Sequence, residues 1–384
     1  MPQLKAAEPL PPAAAVPDIA AQLSLASACI TGAEAMAARK KPLVVIGHRG
    51  KGMNALASPD PRLREVKENS LRSFNDAARV AGVSYVEFDV QVTNDGCPVI
   101  FHDDFIFTEQ DNTLMTVKLK FQGEICGRRV TDLWLDEFLS YGPQKDRNKA
   151  GKPLFRKLND GRILKWDVQS DDALCTLQEA FEGVDRRVGF NVELKFDDDV
   201  VYREEDLAGV VFEHAKERPI FFSSFQPDAA RIMRKLQDRY PVYFLTKGGT
   251  QMYADERRNS LEDAVRLCVA GGLHGVVSEA RAVFRQPSAM GRIKEAGLSL
   301  LTYGQLNNVP EAVYMQHLIG VDGVIVDLVR EIAAAVPELD PSSSMDGGGA
   351  LGLLESPPAA RRTPNFFSQR EVSLLLRLIP ELVQ

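Results

Sequence analysis

Two histidines and three carboxylates stand where apolar runs give way to loops, and together they suit transfer of a phosphoryl group. His48 and Arg49 lie in GHRG, directly after Leu43–Gly47, and His102 closes the run PVIF. Asp103 and Asp104 follow it, and either can accept from a ring nitrogen and fix its tautomer. In Tyr85–Val92 the alternation puts Glu87, Asp89 and Gln91 on one side and Val86, Phe88 and Val90 on the other. Glu193 and Lys195 share a face of NVELK in the same way. Carboxylates seldom enter an interior unless they are paired or hold a cation. Convergence of Glu87, Asp89 and Glu193 therefore asks for a divalent ion, and all-oxygen donors suit Mg²⁺ first and Ca²⁺ second rather than Zn²⁺. The alternative is a buried Glu193/Lys195 ion pair with Asp89 capping a loop. Asp197, Asp198 and Asp199 either extend the site or, as we favour, form a solvated acidic loop. With a cation and Arg49 to neutralise phosphate oxygens, one imidazole is left to remove a proton and the other to supply one.

Something must hold these groups at one place. Between Lys41 and Ala333 short β-branched or aromatic runs alternate with longer helical patterns, as a parallel sheet with crossover helices requires. The runs are Leu43–Gly47, Tyr85–Val92, Gly189–Lys195, Pro219–Ser224, Val242–Thr246, His274–Ser278, Leu298–Tyr303 and Asp322–Asp327. Eight is the number at which such a sheet closes on itself, so the spacing predicts an α/β fold, a (β/α)₈ or TIM barrel, whose functional groups gather at the C-terminal ends of the strands. Between Lys41 and Ala333 no G-x-G-x-x-G or P-loop pattern offers the nucleotide site of an open sheet. Asn94-Asp95-Gly96 predicts a hairpin after the second strand, which carries His102 to the mouth. Residues 105–172 read as an inserted subdomain, of the kind that forms lids and substrate walls.

The remaining organisation is a tail at each end. Residues 1–40 are Ala- and Pro-rich and predict a disordered tail, 41–336 the barrel domain, 337–364 a flexible linker, and 365–384 a separate amphipathic helix. Ser368 and Glu371 have capping-box spacing, and Val372, Leu375, Leu376, Ile379 and Val383 form an apolar stripe that needs a cover, either a partner or the chain itself. The net charge of −7 disfavours nucleic acid as a partner, and no apolar run approaches the ~20 residues needed to cross a bilayer. Five scattered cysteines without C-x-x-C spacing read as reduced thiols, which favours the cytoplasm. Before Arg39 the chain carries Glu8, Asp18 and Glu34 against a single Lys5, so a plastid transit peptide is the less favoured alternative.

GHRG, the Lys67-Glu68-Asn69 that opens the next helix, VEFDVQVTNDGCPVIFHDD, NVELK, FFSSF, LLTYG and DGVIVD stand in the order and spacing of the glycerophosphodiester phosphodiesterase family. The chain resembles the plant soluble members over about Pro42 to Val336. The resemblance implies that His48 and His102 are the acid/base pair, and that Glu87, Asp89 and Glu193 hold the divalent cation. It further implies that Arg49 and Lys195 contact phosphate, that Glu68 lies at the rim of the site, and that Tyr303 is an aromatic substrate contact. The implied substrates are small glycerophosphodiesters, deacylated phospholipids such as glycerophosphocholine, glycerophosphoethanolamine and glycerophosphoinositol, cut to glycerol 3-phosphate and an alcohol. One departure is the stretch between Lys195 and Pro219, shorter than in the plant relatives, which leaves an outer helix from roughly Glu204 to Glu217 only ~20 Å long. Two other readings are weaker. A phospholipase-like barrel phosphodiesterase would need a lipid-binding surface, and no basic amphipathic segment lies beside the barrel. An inactive barrel serving as a scaffold would not require the two histidines and three carboxylates together.

Overall fold

Each of the eight apolar runs becomes a parallel strand in the computed structural model, which describes residues 42–109, 125–146, 148–196 and 218–339. In chain order the strands are β1 (Val44–Gly47), β2 (Val83–Val92), β3 (Pro98–Ile100), β4 (Phe105–Glu109), β5 (Ile125–Arg129), β6 (Phe155–Lys157), β7 (Ile163–Lys165), β8 (Gly189–Leu194), β9 (Ile220–Ser224), β10 (Val242–Thr246), β11 (Gly275–Glu279), β12 (Ser299–Tyr303) and β13 (Gly323–Val326). The order β1-β13-β12-β11-β10-β9-β8-β2, with β1 also paired to β2, closes a parallel barrel.

The alternation along each strand divides two cores. Val86, Phe88 and Val90 of β2 face outward and pack with Phe74, Phe190 and the helices around the barrel. Phe88 and Phe190 meet edge to face at 4.9 Å, and both are fully buried, so truncating either to Ala would cost ~3–5 kcal/mol. Ile46, Phe221, Leu245, Val277, Leu301 and Ile325 point inward and fill the barrel, which is a packed core and not a pore. The helices begin where the sequence supplies caps. Ser70 accepts from Ser73 N to open helix Leu71–Ala78, and Thr176 with Glu179 forms a reciprocal capping box at helix Leu177–Gly183.

β3 pairs antiparallel with β2, and Gly96, at φ 78°, makes the turn between them. Beyond it β4 to β7 form a separate antiparallel sheet, ordered β5-β4-β6-β7, with its own apolar core around Phe101, Ile106, Phe138, Tyr141 and Trp166. Helix Val329–Leu339 continues through Pro337, past the expected end of the barrel domain at 336. The missing N–H of a proline removes a single bond there, close to a helix end where fewer carbonyls depend on it. Among the described residues no helix is long and apolar enough to cross a membrane, and Cys97, Cys126, Cys175 and Cys268 are free thiols. The N-terminal tail, the Asp197–Asp199 run, the shortened outer helix at Glu204–Glu217, nearly all of the linker and the C-terminal helix lie outside the described residues.

Candidate active site

The GHRG turn is built by backbone geometry that few sequences allow. Gly50 adopts φ 92°, and a Cβ there would come within 2.4 Å of Ser73 Oγ, so only glycine fits. Arg49 itself sits at φ 49°, and its N–H donates to Glu87 Oε2 at 2.9 Å. The turn delivers His48 to the end of the barrel's last strand, where His48 Nδ1 lies 2.7 Å from Asp327 Oδ1 and Nε2 lies 3.9 Å from Glu87 Oε2. Asp327 is fixed in turn by Asn308 Nδ2 at 2.9 Å and by Met53 N at 3.0 Å. Burial works against charge on His48, but the Asp327 charge and hydrogen bond outweigh it and hold the imidazole above its ordinary value.

Register explains the acidic cluster. Asp89 of β2 stands directly across from Glu193 of β8, and Glu87 lies two residues earlier on the same face. One ligand atom from each of the three falls within 4.8 Å of the others. Glu87 is anchored through Oε2 by Arg49 N, and Asp89 through Oδ2 by Asn69 Nδ2 at 2.9 Å. Their other oxygens, Glu87 Oε1 and Asp89 Oδ1, are buried without a hydrogen-bond donor. Burial and the neighbouring Asp89 charge push Glu87 up to about 8, and burial likewise raises Glu193. Orphaned, mutually repelling oxygens on otherwise anchored carboxylates fit a divalent cation, which would relieve both penalties. Lys195 Nζ does lie 3.3 Å from Glu193 Oε1, but the ion pair stands beside the cluster, 3.9 Å from Asp89 Oδ1, and leaves the orphaned oxygens unmatched. Asp89 lies within β2 and caps no loop.

His102 follows β3 and reaches the cluster because Phe101 N donates to Asp89 O at 3.0 Å. Its Nδ1 lies 2.8 Å from Asp103 Oδ1, so a neutral ring donates from Nδ1 and keeps Nε2 as the acceptor. Burial and the Arg49 charge hold this imidazole down at about 4, opposite in sense to His48.

The other expected residues are placed unequally. Arg49 is 6% exposed, pairs through Nη1 with Glu68 Oε1 at 2.7 Å, and has Nε 3.5 Å from Asp89 Oδ2. Glu68 does not lie at the rim: it is 2% exposed, and its two oxygens accept from Arg49, Arg156 and Asn54 N, leaving no side open to a ligand. The inserted sheet, whose covering of this helix start the sequence does not reveal, is what buries it. Tyr303 is half-buried at the end of β12, its hydroxyl donating to Thr246 O at 3.2 Å and its ring edge-on to Phe225. Its hydroxyl is raised well above the ordinary range, first by burial and then by the Glu279 and Glu193 carboxylates. Two contributors went unrecognised in the sequence. Asp327 was visible only as the last residue of the strand run Asp322–Asp327, and Asn69 only as part of Lys67-Glu68-Asn69.

Comparison with known proteins agrees with this architecture. The pattern of the glycerophosphoryl diester phosphodiesterase family matches residues 48–331. The Arabidopsis thaliana protein named glycerophosphodiester phosphodiesterase GDPD1, chloroplastic, is 53% identical over 89% of this chain and 90% of its own length. Arabidopsis GDPD2, also named a glycerophosphodiester phosphodiesterase, is 54% identical over 88% and 89%. A crystal structure of a glycerophosphodiester phosphodiesterase from Parabacteroides distasonis superposes with a TM-score of 0.51 at 18% identity, covering 78% of this chain and 99% of that one, and shares the fold. The extent of the family match and the identity to two near full-length relatives carry the conclusion: this chain belongs to the glycerophosphoryl diester phosphodiesterase family.

Proposed function

We propose that the chain hydrolyses deacylated phospholipids, among them glycerophosphocholine, glycerophosphoethanolamine and glycerophosphoinositol, to glycerol 3-phosphate and the free alcohol, with Mg²⁺ as the preferred ion. The observation that carries this reading is the buried cluster of Glu87, Asp89 and Glu193 with two orphaned oxygens, flanked by two histidines biased toward opposite protonation states. When bound by these three carboxylates, the cation supplies positive charge against the phosphate oxygens and the negative charge that builds on them. Arg49 and Lys195 contact the non-bridging oxygens and orient the diester, and Tyr303 forms a wall of the substrate site.

His102, neutral at physiological pH, takes the proton of the glycerol 2-hydroxyl. That oxygen attacks the phosphorus as the bond from phosphorus to the alcohol oxygen breaks, and protonated His48 gives its proton to the departing alkoxide. Intramolecular attack is favoured because nucleophile and phosphorus are already joined. The product is a five-membered cyclic phosphate. Water then opens it with the roles exchanged, His48 accepting the proton of water and His102 returning one to the 2-hydroxyl. The product is glycerol 3-phosphate, formed as its monoanion, which then loses its second proton to solvent.

Release of glycerol 3-phosphate, followed with and without a chelator, tests the reading. Chelation should abolish release reversibly, and His48→Ala or His102→Ala should each lower turnover by ~10²–10⁴ in a folded protein. Near-wild-type release by either variant would refute the assignment. For the compartment, the acidic residues before Arg39 support the cytoplasm, whereas the word chloroplastic in the name of the 53%-identical relative supports the plastid. A fluorescent reporter fused behind residues 1–40 separates the two.

A further inference from the structure

Arg156, on β6 of the inserted sheet, is 7% exposed and spends all five of its N–H donors inside the protein. Nε donates to Asp103 Oδ2 at 2.8 Å and Nη2 to Asp103 Oδ1 at 3.2 Å. Nη2 also donates to Glu68 Oε1 at 2.6 Å, while Nη1 donates to Glu68 Oε2 and to Asn54 O, both at 3.1 Å. The guanidinium lies 3.8 Å over the ring of Trp166, whose Nε1 donates to Asn54 Oδ1 at 3.0 Å. Arg156 is thus a two-sided fork with a stacked support, a geometry that lysine cannot reproduce.

Each carboxylate held by this fork has a second partner in the candidate active site. Asp103 accepts from His102 Nδ1, and Glu68 accepts from Arg49 Nη1. We infer that Arg156 is a positioning residue, setting the ring of His102 through Asp103 and the guanidinium of Arg49 through Glu68, so that the inserted sheet is a working part of the catalytic centre. A mere anchor between sheet and barrel would need only one of the two carboxylates. The fork instead ties the group that moves a proton to the group that meets phosphate, and it holds both against rotation. Displacements of about 1 Å at such groups cost on the order of 10²-fold in rate. The inference rests on the acid/base role given above to His102.

The test uses the full chain with Mg²⁺, comparing wild type with Arg156→Met, Arg156→Lys and Asp103→Asn for glycerol 3-phosphate release across the pH range of activity. Circular dichroism gives the folded fraction. In Arg156→Met, kcat per folded molecule should fall roughly 10²-fold with a smaller change in KM. Its acidic limb in kcat/KM should move to higher pH, because Asp103, relieved of Arg156, exerts its full charge on His102. Arg156→Lys should restore the limb, since it returns the charge, but not the full kcat, since it lacks the fork. In Asp103→Asn, where Arg156 keeps its hold on Glu68, the limb should move to lower pH. Should neither Arg156 variant fold, the Asp103→Asn limb decides the matter. Wild-type kcat per folded molecule with an unmoved limb would overturn the inference, as would activity that falls only in proportion to the folded fraction. His102→Ala, run in parallel, separates the two levels of argument. If it stays active the functional reading itself fails, whereas an inactive His102→Ala beside unaffected Arg156 and Asp103 variants defeats only this inference.

Discussion

His48 Nδ1 and Asp327 Oδ1 lie 2.7 Å apart across the seam where the first and last barrel strands pair, although 279 positions separate them in the chain. The bond fixes the imidazole with Nε2 toward Glu87 and stabilises its protonated form.

Asp327→Asn should therefore lower the His48 pKa and reduce kcat by ~10²–10⁴, since the ring loses both its orientation and its proton at working pH. The sign follows from the shift. A raised imidazole contributes stability that is complete below its unfolded value near 6.5 and disappears as pH rises through the folded value. Imidazole NMR titrations of both proteins check this, and a His48 that titrates identically in the variant would refute it.

Glu87 changes stability with pH in the same direction as His48, although here it is the neutral form that the fold favours. Raised to about 8 from an ordinary 4.5, it contributes stability to the metal-free protein that is complete below the lower value and is lost as pH climbs between the two, because the folded state binds the extra proton. The melting temperature in chelator should fall from pH 5 to pH 8, the fall should be smaller in Glu87→Gln, and added Mg²⁺ should raise the pH 8 value most. Glu87→Gln, Asp89→Asn and Glu193→Gln should each weaken metal binding in calorimetry. A pH-independent melt that ignores Mg²⁺ would count against a cation site.

A diester in which hydrogen replaces the glycerol 2-hydroxyl should bind nearly as well as substrate, since its phosphate contacts are unchanged. It should turn over at least roughly 10²-fold more slowly, having lost its internal nucleophile. Comparable kcat for the two would mean that water attacks phosphorus directly.

Deleting the residues after Pro341 should leave turnover intact. Every site residue described above lies between His48 and Asp327, and we propose that the apolar stripe from Val372 to Val383 serves a partner or docks on the chain itself without contributing to catalysis. A truncated protein that folds but has lost activity would show that the C-terminal segment acts on the barrel.

Much of this site is legible in the sequence because strands have a period of two. Glu87 and Asp89 could be assigned to one face from VEFDV alone, whereas the register that sets Asp89 across from Glu193 on the neighbouring strand is seen only in the structure. His48 and His102 were visible because each ends an apolar run. What stayed hidden has no local period. Asp327 acquires its role from a partner that only barrel closure brings near, and Arg156 lies in a Lys- and Gly-rich stretch whose short strands carry little alternation. The resemblance alone implied that Glu68 lies at the rim of the site, and nothing local announces that a second sheet lies across it.

The pairing of β1 with β13 also sets the order in which the protein becomes an enzyme during synthesis. β1, β2, β3 and β8 leave the ribosome early, and with the loops that follow them they carry the acidic cluster and both histidines, but the carboxylate that orients His48 arrives only with the last strand. Until then β1 has an unpaired edge, and the inward face that carries Ile46 lacks its neighbour Ile325. A nascent or prematurely terminated chain therefore has the acidic cluster and both histidines without the carboxylate that holds His48, and only closure of the seam completes that contact.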